Sequence, residues 1–198
     1  IQKAGNNTFL LQNKDIYLDM LTDSGVNAMS DRQTAAMHLA DDSYAGSETF
    51  NRLKTAMKEV FGTDNILPAH QGRACENILA ERFVKPGMIA IMNFHFTTTK
   101  AHVTRCGGEV VEVLHKKGLI PQSDDPFKGD MDLQELRRVI TEYGPEKVAY
   151  VRVEAGTNLI GGQPVSLENM LAVADICHEF GVPSILDASL LQDNIYFM

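Results

Sequence analysis

Four short segments hold residue types that suit chemistry on a small anionic or heterocyclic ligand. His70-Gln71-Gly72-Arg73 follows Ile66-Leu67-Pro68 and leads into a helical stretch through Ile78 and Leu79. A glycine where a helix opens lets unpaired backbone N–H groups approach an anion, and the helix dipole favours phosphate there. The same four residues also read as a plain turn in which Gly72 relieves steric strain. Asn93-Phe94-His95-Phe96-Thr97-Thr98-Thr99 sets aromatic rings beside a run of hydroxyls. That mixture suits stacking on a flat heterocycle and hydrogen bonding to a substrate, and it equally caps helices and packs cores. His95 and His102 lie seven apart with no third ligand nearby, so surface or packing roles fit them better than a metal. Thr157-Asn158 with Gly161-Gly162-Gln163-Pro164 is mostly turn chemistry around an Asn that can hold a ring hydroxyl or oxyanion. Asp187 closes the apolar Ser184-Ile185-Leu186. A carboxylate at the end of a buried strand is costly unless something positive or hydrogen-bonding faces it. A protonated heterocyclic nitrogen would serve, and so would the start of a following helix, which an Asp can cap.

These segments need a scaffold, and short apolar runs alternating with helical stretches predict one: an α/β fold with a parallel sheet and crossover helices. Strands are expected at Met88 to Met92, Val110 to Leu114, Val148 to Val153 and Ser184 to Leu186, the first opened by Pro86-Gly87. In open sheets of this kind ligands gather beyond the carboxyl ends of the strands. Ser30-Asp31-Arg32-Gln33 reads as a capping box at a helix start. Phe50, Leu53, Met57 and Val60 or Phe61 recur at helical spacing before Gly62, a pattern read as core packing that ends in a C-cap. Leu133, Leu136, Val139 and Ile140 mark another helix. Leu167, Met170, Leu171, Ala174 and Cys177 mark one more, capped by Ser166.

Composition bounds the rest. The chain has 198 residues, 44% of them hydrophobic and 22% charged, with 18 Lys and Arg against 26 Asp and Glu and a formal net charge of -8. This excludes wholesale disorder and a disulfide mini-protein, and at roughly 150 residues per domain it allows one domain or a little more. An acidic chain without a Lys/Arg cluster is a poor partner for nucleic acid. Cys75, Cys106 and Cys177 are widely spaced and odd in number, as expected of reduced thiols in a cytoplasmic protein. The apolar runs are strand-length and the first residues lack a signal-peptide order, so no membrane association is expected.

Taken together, the segments resemble the β-eliminating lyases that use pyridoxal phosphate (PLP), the family of tyrosine phenol-lyase and tryptophanase. The likeness runs from about Phe9 onward. It is carried by Leu21-Thr22-Asp23-Ser24-Gly25, Tyr44-Ala45-Gly46-Ser47, His70-Gln71-Gly72-Arg73, Phe96-Thr97-Thr98-Thr99, Phe127-Lys128-Gly129-Asp130 and Gly161-Gly162-Gln163-Pro164-Val165-Ser166. The resemblance implies fold type I of the PLP enzymes, with residues 1–29 packing with a small domain and 30–198 forming the N-terminal part of the large PLP-binding domain. It also implies a homotetramer acting on an amino-acid substrate.

By the same resemblance, Gln71, Gly72 and Arg73 match the phosphate-binding turn and Phe96 the ring stacked on the pyridine. Asn158 matches the partner of the cofactor's phenolic oxygen, and Asp187 the carboxylate that keeps the pyridine nitrogen protonated. Thr22 lies near the substrate carboxylate, Tyr44 matches the general acid for the leaving group, and Gly25 and Asp42 match ligands of an activating monovalent cation, potassium. The family usually has Glu at the position of Asp42. Thr97, where tryptophanase has Asp, and Phe9, near the substrate ring, favour L-tyrosine cleaved to phenol, pyruvate and ammonia. Two departures run the other way. Leu190 stands where both lyases carry an Arg that contacts the phenolic oxygen, which admits a tryptophanase-like or other β-elimination. The Schiff-base Lys and the Arg residues for the α-carboxylate lie beyond Met198 in the family, which also admits a non-catalytic fragment or assembly partner.

Overall fold

Each of the four apolar runs becomes a strand in the computed structural model, which describes residues 1–18 and 29–198. The strands are β1 (Ile89–Met92), β2 (Glu109–Glu112), β3 (Val148–Glu154) and β4 (Ser184–Asp187), all parallel, in the order β2-β1-β3-β4. The central pair, β1 and β3, is buried at every residue, as strands with a neighbour on each side and both faces covered should be, although β3 carries Arg152 and Glu154. The edge strands β2 and β4 are only half covered.

The chain divides into two compact units, Ile1–Leu67 and Pro68–Met198, and the sheet lies in the second. There the connections are α3 (Gly72–Phe83), α4 (Thr97–Arg105), α5 (Leu133–Tyr143), α6 (Leu167–Phe180) and α7 (Leu191–Phe197). One face of the sheet packs Ile91, Val151 and Val153 against Leu136 and Ile140 of α5 and Val173 and Ile176 of α6. The other packs Met92 and Tyr150 against Ala80 of α3 and Val103 of α4, with Phe83 edge-on to the Tyr150 ring at 6.4 Å. Ser166 caps α6 as expected, accepting from the Asn169 N–H at 3.1 Å. The buried stripe of that helix differs from the expected one: Asn169, Val173, Ile176 and Cys177 face inward, while Leu167 and Leu171 are exposed. The two stripes differ by a rotation of the helix, and the inward one includes an Asn because its amide closes two hydrogen bonds, both at 2.9 Å, on the Met131 backbone.

The first unit holds α1 (Asp31–His38) and α2 (Glu48–Phe61). Ser30 Oγ accepts from the Gln33 N–H at 3.0 Å, which forms the serine half of the expected capping box. Gly62 closes α2 in the left-handed region at φ 72°. The stripe read as core is not core: Phe50, Leu53, Val60 and Phe61 are all exposed. Periodicity reports that a helix face is apolar, and no described element covers this one. Among the described residues no helix is long and apolar enough to cross a membrane.

Candidate active site

The start of α3 is open to an anion. Gln71 is extended at the N-cap and no side chain caps the first turn, because its amide turns instead to His70 Nε2 at 3.0 Å. The first N–H groups of a 12-residue helix are thus left for a ligand. A Cβ built on Gly72 would meet nothing within 4 Å, and its φ is not in the left-handed region. No neighbour among the described residues requires glycine there, so the steric-relief reading finds no support in them.

Glu76, one turn into α3, accepts from Thr98 Oγ1 at 2.5 Å and from Thr99 Oγ1, both in the first turn of α4. These bonds fasten the two helix starts side by side at the carboxyl end of β1. Phe96 is the half-buried N-cap of α4 and Thr97 is exposed at its first position. Behind them Asn93 is fully buried. Its amide donates to the Gly129 carbonyl at 3.0 Å, the Glu154 carbonyl at 3.1 Å and Thr157 Oγ1 at 3.0 Å, and its oxygen accepts from the Glu154 N–H at 3.1 Å. One side chain therefore joins the loops after β1 and β3.

Beside it is a buried ionic cluster that the strand pattern conceals. Arg152 lies within the run read as apolar, with a side chain 4% exposed. Its guanidinium reaches Glu154 Oε2 at 3.3 Å and Asp187 Oδ2 at 2.5 Å. Asp187 Oδ1 accepts from the Ser189 N–H at 2.9 Å and from Ser189 Oγ at 2.5 Å. Asp187 does not cap α7, whose N-cap is Leu190 with no side-chain hydrogen bond; the cation facing it is Arg152, and its second oxygen holds the turn at Ser189. Burial pushes the Asp187 carboxyl up, but Arg152 and the Ser189 hydrogen bonds pull harder, and its pKa lies below the usual aspartate value. Burial wins at Glu154, whose longer contact with Arg152 leaves its pKa raised. An i, i+2 pair of opposite charges in an otherwise apolar run was the signal that could have found this cluster.

Asn158 follows β3. Its backbone N–H donates to Glu154 Oε1 at 3.3 Å, and its side-chain amide makes no hydrogen bond among the described residues. Leu190 packs on this loop: a Cβ added to Gly156, which sits at φ 73°, would lie 2.8 Å from Leu190 Cβ. Asn194 of α7, buried and also missed from sequence, accepts from the Gly156 N–H at 3.0 Å and the Val165 N–H at 2.8 Å, which holds the loop in place.

In the first unit, Phe9, Asp42 and Tyr44 are exposed. The loop carrying Asp42 and Tyr44 is fastened by Asp41, which accepts from the Thr49 N–H at 2.9 Å, from Thr49 Oγ1 and from Ser47 Oγ at 3.1 Å. The Thr49 hydrogen bonds hold its carboxyl well below the usual carboxylate range. Thr22 and Gly25 lie outside the described residues.

Comparison with known proteins decides the family. The model of the family Beta-eliminating lyase matches residues 19–196. The chain belongs to the β-eliminating lyase family. Two curated members are the tyrosine phenol-lyases of Fusobacterium nucleatum, 44% identical over all 198 residues, and of Nostoc punctiforme, 43% identical over the same span. The chain covers 43% and 42% of their respective lengths. Among solved structures the backbone is similar to cystalysin from Treponema denticola, with TM-score 0.58 at 16% identity over 78% of this chain and 38% of that one. It is also similar to the N-succinyldiaminopimelate aminotransferase of Mycobacterium tuberculosis, with TM-score 0.59 at 19% identity over 78% of this chain and 40% of the other. These likenesses show the fold alone, the α/β arrangement of fold type I.

Proposed function

We propose that this chain is the N-terminal part of the large domain of a PLP-dependent carbon–carbon lyase that cleaves L-tyrosine to phenol, pyruvate and ammonia. One observation carries the reading. The uncapped start of α3, the Phe96 N-cap, Asn158 and the ionised Asp187, the last residue of β4, all lie at the carboxyl edge of one parallel sheet, where such sheets receive ligands.

The residues present fit the cofactor. The open N–H groups at Gly72 and Arg73 and the helix dipole suit its phosphate, Phe96 offers a ring for stacking, and Asn158 an unengaged amide for the phenolic oxygen. Asp187, held as a carboxylate, suits a protonated ring nitrogen. Bound there, PLP supplies an electron-withdrawing ring that delocalises the electron pair left when an amino acid loses its α-proton. In the same reading Thr97, Thr22 and Phe9 bind the substrate and Tyr44 gives a proton to the departing ring. Gly25 and Asp42 hold potassium. The anchoring lysine comes from the length of the relatives that this chain does not span. A homotetramer and a cytoplasmic location complete the proposal.

Leu190 favours a second reading, the same cofactor acting on another β-substituted amino acid, since an apolar side chain lies against the Asn158 loop. The test is pyruvate release by the complete protein with PLP. Release from L-tyrosine supports the first reading, release only from L-tryptophan or S-alkyl cysteine supports the second, and release from none of them contradicts both.

A further inference from the structure

Arg152 is a buried charge set between apolar neighbours. Its neighbours in register are Met92 on β1 and Ile185 on β4, both apolar. Its charged partners among the described residues are Glu154 and Asp187 alone. Tyr150, two residues earlier on the same strand face, stays neutral, its phenol pushed up to about 12 by burial. In parallel strands paired residues share a face, so Arg152, Glu154, Ile185 and Asp187 all point toward the layer formed by α3 and α4, where Met92 and Tyr150 also pack. The ends of that layer are the anion-ready start of α3 and the Phe96 cap.

We propose that Arg152 is a positioning residue for Asp187, sharing one guanidinium between Asp187 and Glu154 so that a heterocyclic nitrogen facing Asp187 meets a carboxylate whose charge is already partly compensated. The inference rests on the PLP reading above and adds to it a setting of the ring's proton affinity. A cation a few ångströms behind the carboxylate weakens its attraction for a proton on the far side, because the fields of the two charges oppose each other there. The sharing matters as well. The contact to Asp187 is shorter than the contact to Glu154, so most of the guanidinium's effect falls on the residue that faces the ligand. Ser189 fixes the other oxygen from the same side, leaving the carboxylate little freedom to swing away.

The test uses pyridoxamine 5'-phosphate, which needs no lysine and whose absorbance reports protonation of the ring nitrogen. Its spectrum is titrated against pH when bound to the complete wild-type protein and to its variants Arg152→Lys, Arg152→Gln and the double variant Arg152→Met with Glu154→Gln. The double variant removes the cation together with its second carboxylate, and circular dichroism verifies the fold of each. The proton affinity of the bound ring should rise about tenfold, roughly one pKa unit, in Arg152→Gln, and by less in the double variant, where losing the Glu154 carboxylate offsets part of the loss of the cation. It should stay near the wild-type value in Arg152→Lys. An unchanged or lowered ring pKa in the neutral variants overturns the proposal while leaving the cofactor reading intact. If the complete wild-type protein fails to bind the probe, or if Asp187→Asn leaves the ring pKa unaltered, the cofactor reading itself fails and the role of Arg152 falls with it.

Discussion

A guanidinium with 4% of its side chain exposed must have its charge met, and at the end of β3 two carboxylates share that task. Removing it strands them. Arg152→Met should cost about 3–5 kcal/mol in urea denaturation, the range for breaking one side of a buried pair. Arg152→Lys should cost less, since the charge survives. The two acids respond to pH in opposite senses. Asp187 has a folded pKa below its unfolded value of about 3.9, so its contribution is complete above that value and is lost as pH falls through the folded pKa. Glu154 has a folded pKa above its unfolded value of about 4.3, so stability falls as pH rises between the two. Melting curves across this range should show Asp187→Asn flattening the acid limb below about pH 4 and Glu154→Gln flattening the decline above it. Asp187 was legible in the sequence because a lone acid after an apolar run is conspicuous. Arg152 was not, because a strand pattern of alternating valines absorbs one charged residue without losing its shape.

At the level of elements, the strands followed from composition: β1 is buried on both faces and written entirely in apolar residues, and β3, equally buried, is apolar up to Arg152 and Glu154. Helix faces were less legible. On α6 the buried stripe takes in Asn169, a residue that becomes core only because the Met131 backbone offers it partners. On α2 the apolar stripe was plain and its exposure was not, since covering depends on what lies beyond the helix. The joints between elements depended most on tertiary context. Asn93 and Asn194 stand in the sequence as ordinary polar residues, yet they tie together the loops that carry the candidate site. Asn93→Ala should destabilise by about 2–3 kcal/mol in chemical denaturation, because it leaves a buried N–H and two buried carbonyls short of partners. Gly72→Ala should do the reverse to stability. With open space around it, the methyl group should add about 0.4–1 kcal/mol by narrowing the unfolded chain's choices. If the open turn holds the cofactor phosphate, the same methyl group should weaken PLP binding several-fold by calorimetry. Tighter binding of PLP to the variant would contradict that use of the turn.

For the molecule as a whole, the chain belongs to the β-eliminating lyase family. Blocks matched by sequence resemblance, scattered from His70 to Asp187, lie at one edge of a single sheet in the second unit. The exposed Phe50 and Phe61 of α2 and Tyr196 and Phe197 of α7 belong to a chain that spans 43% of the length of its Fusobacterium relative. The central claim is that this edge seats PLP, its phosphate on α3 and its ring nitrogen on Asp187. A crystal structure of the protein grown with PLP tests it most directly. The account predicts phosphate oxygens about 3 Å from the Gly72 and Arg73 N–H groups, the ring stacked on Phe96, and the ring nitrogen about 2.7–3.0 Å from an Asp187 oxygen. Asp187 engaged by Arg152 and Ser189 alone, with PLP bound elsewhere or absent from the saturated crystal, would contradict it.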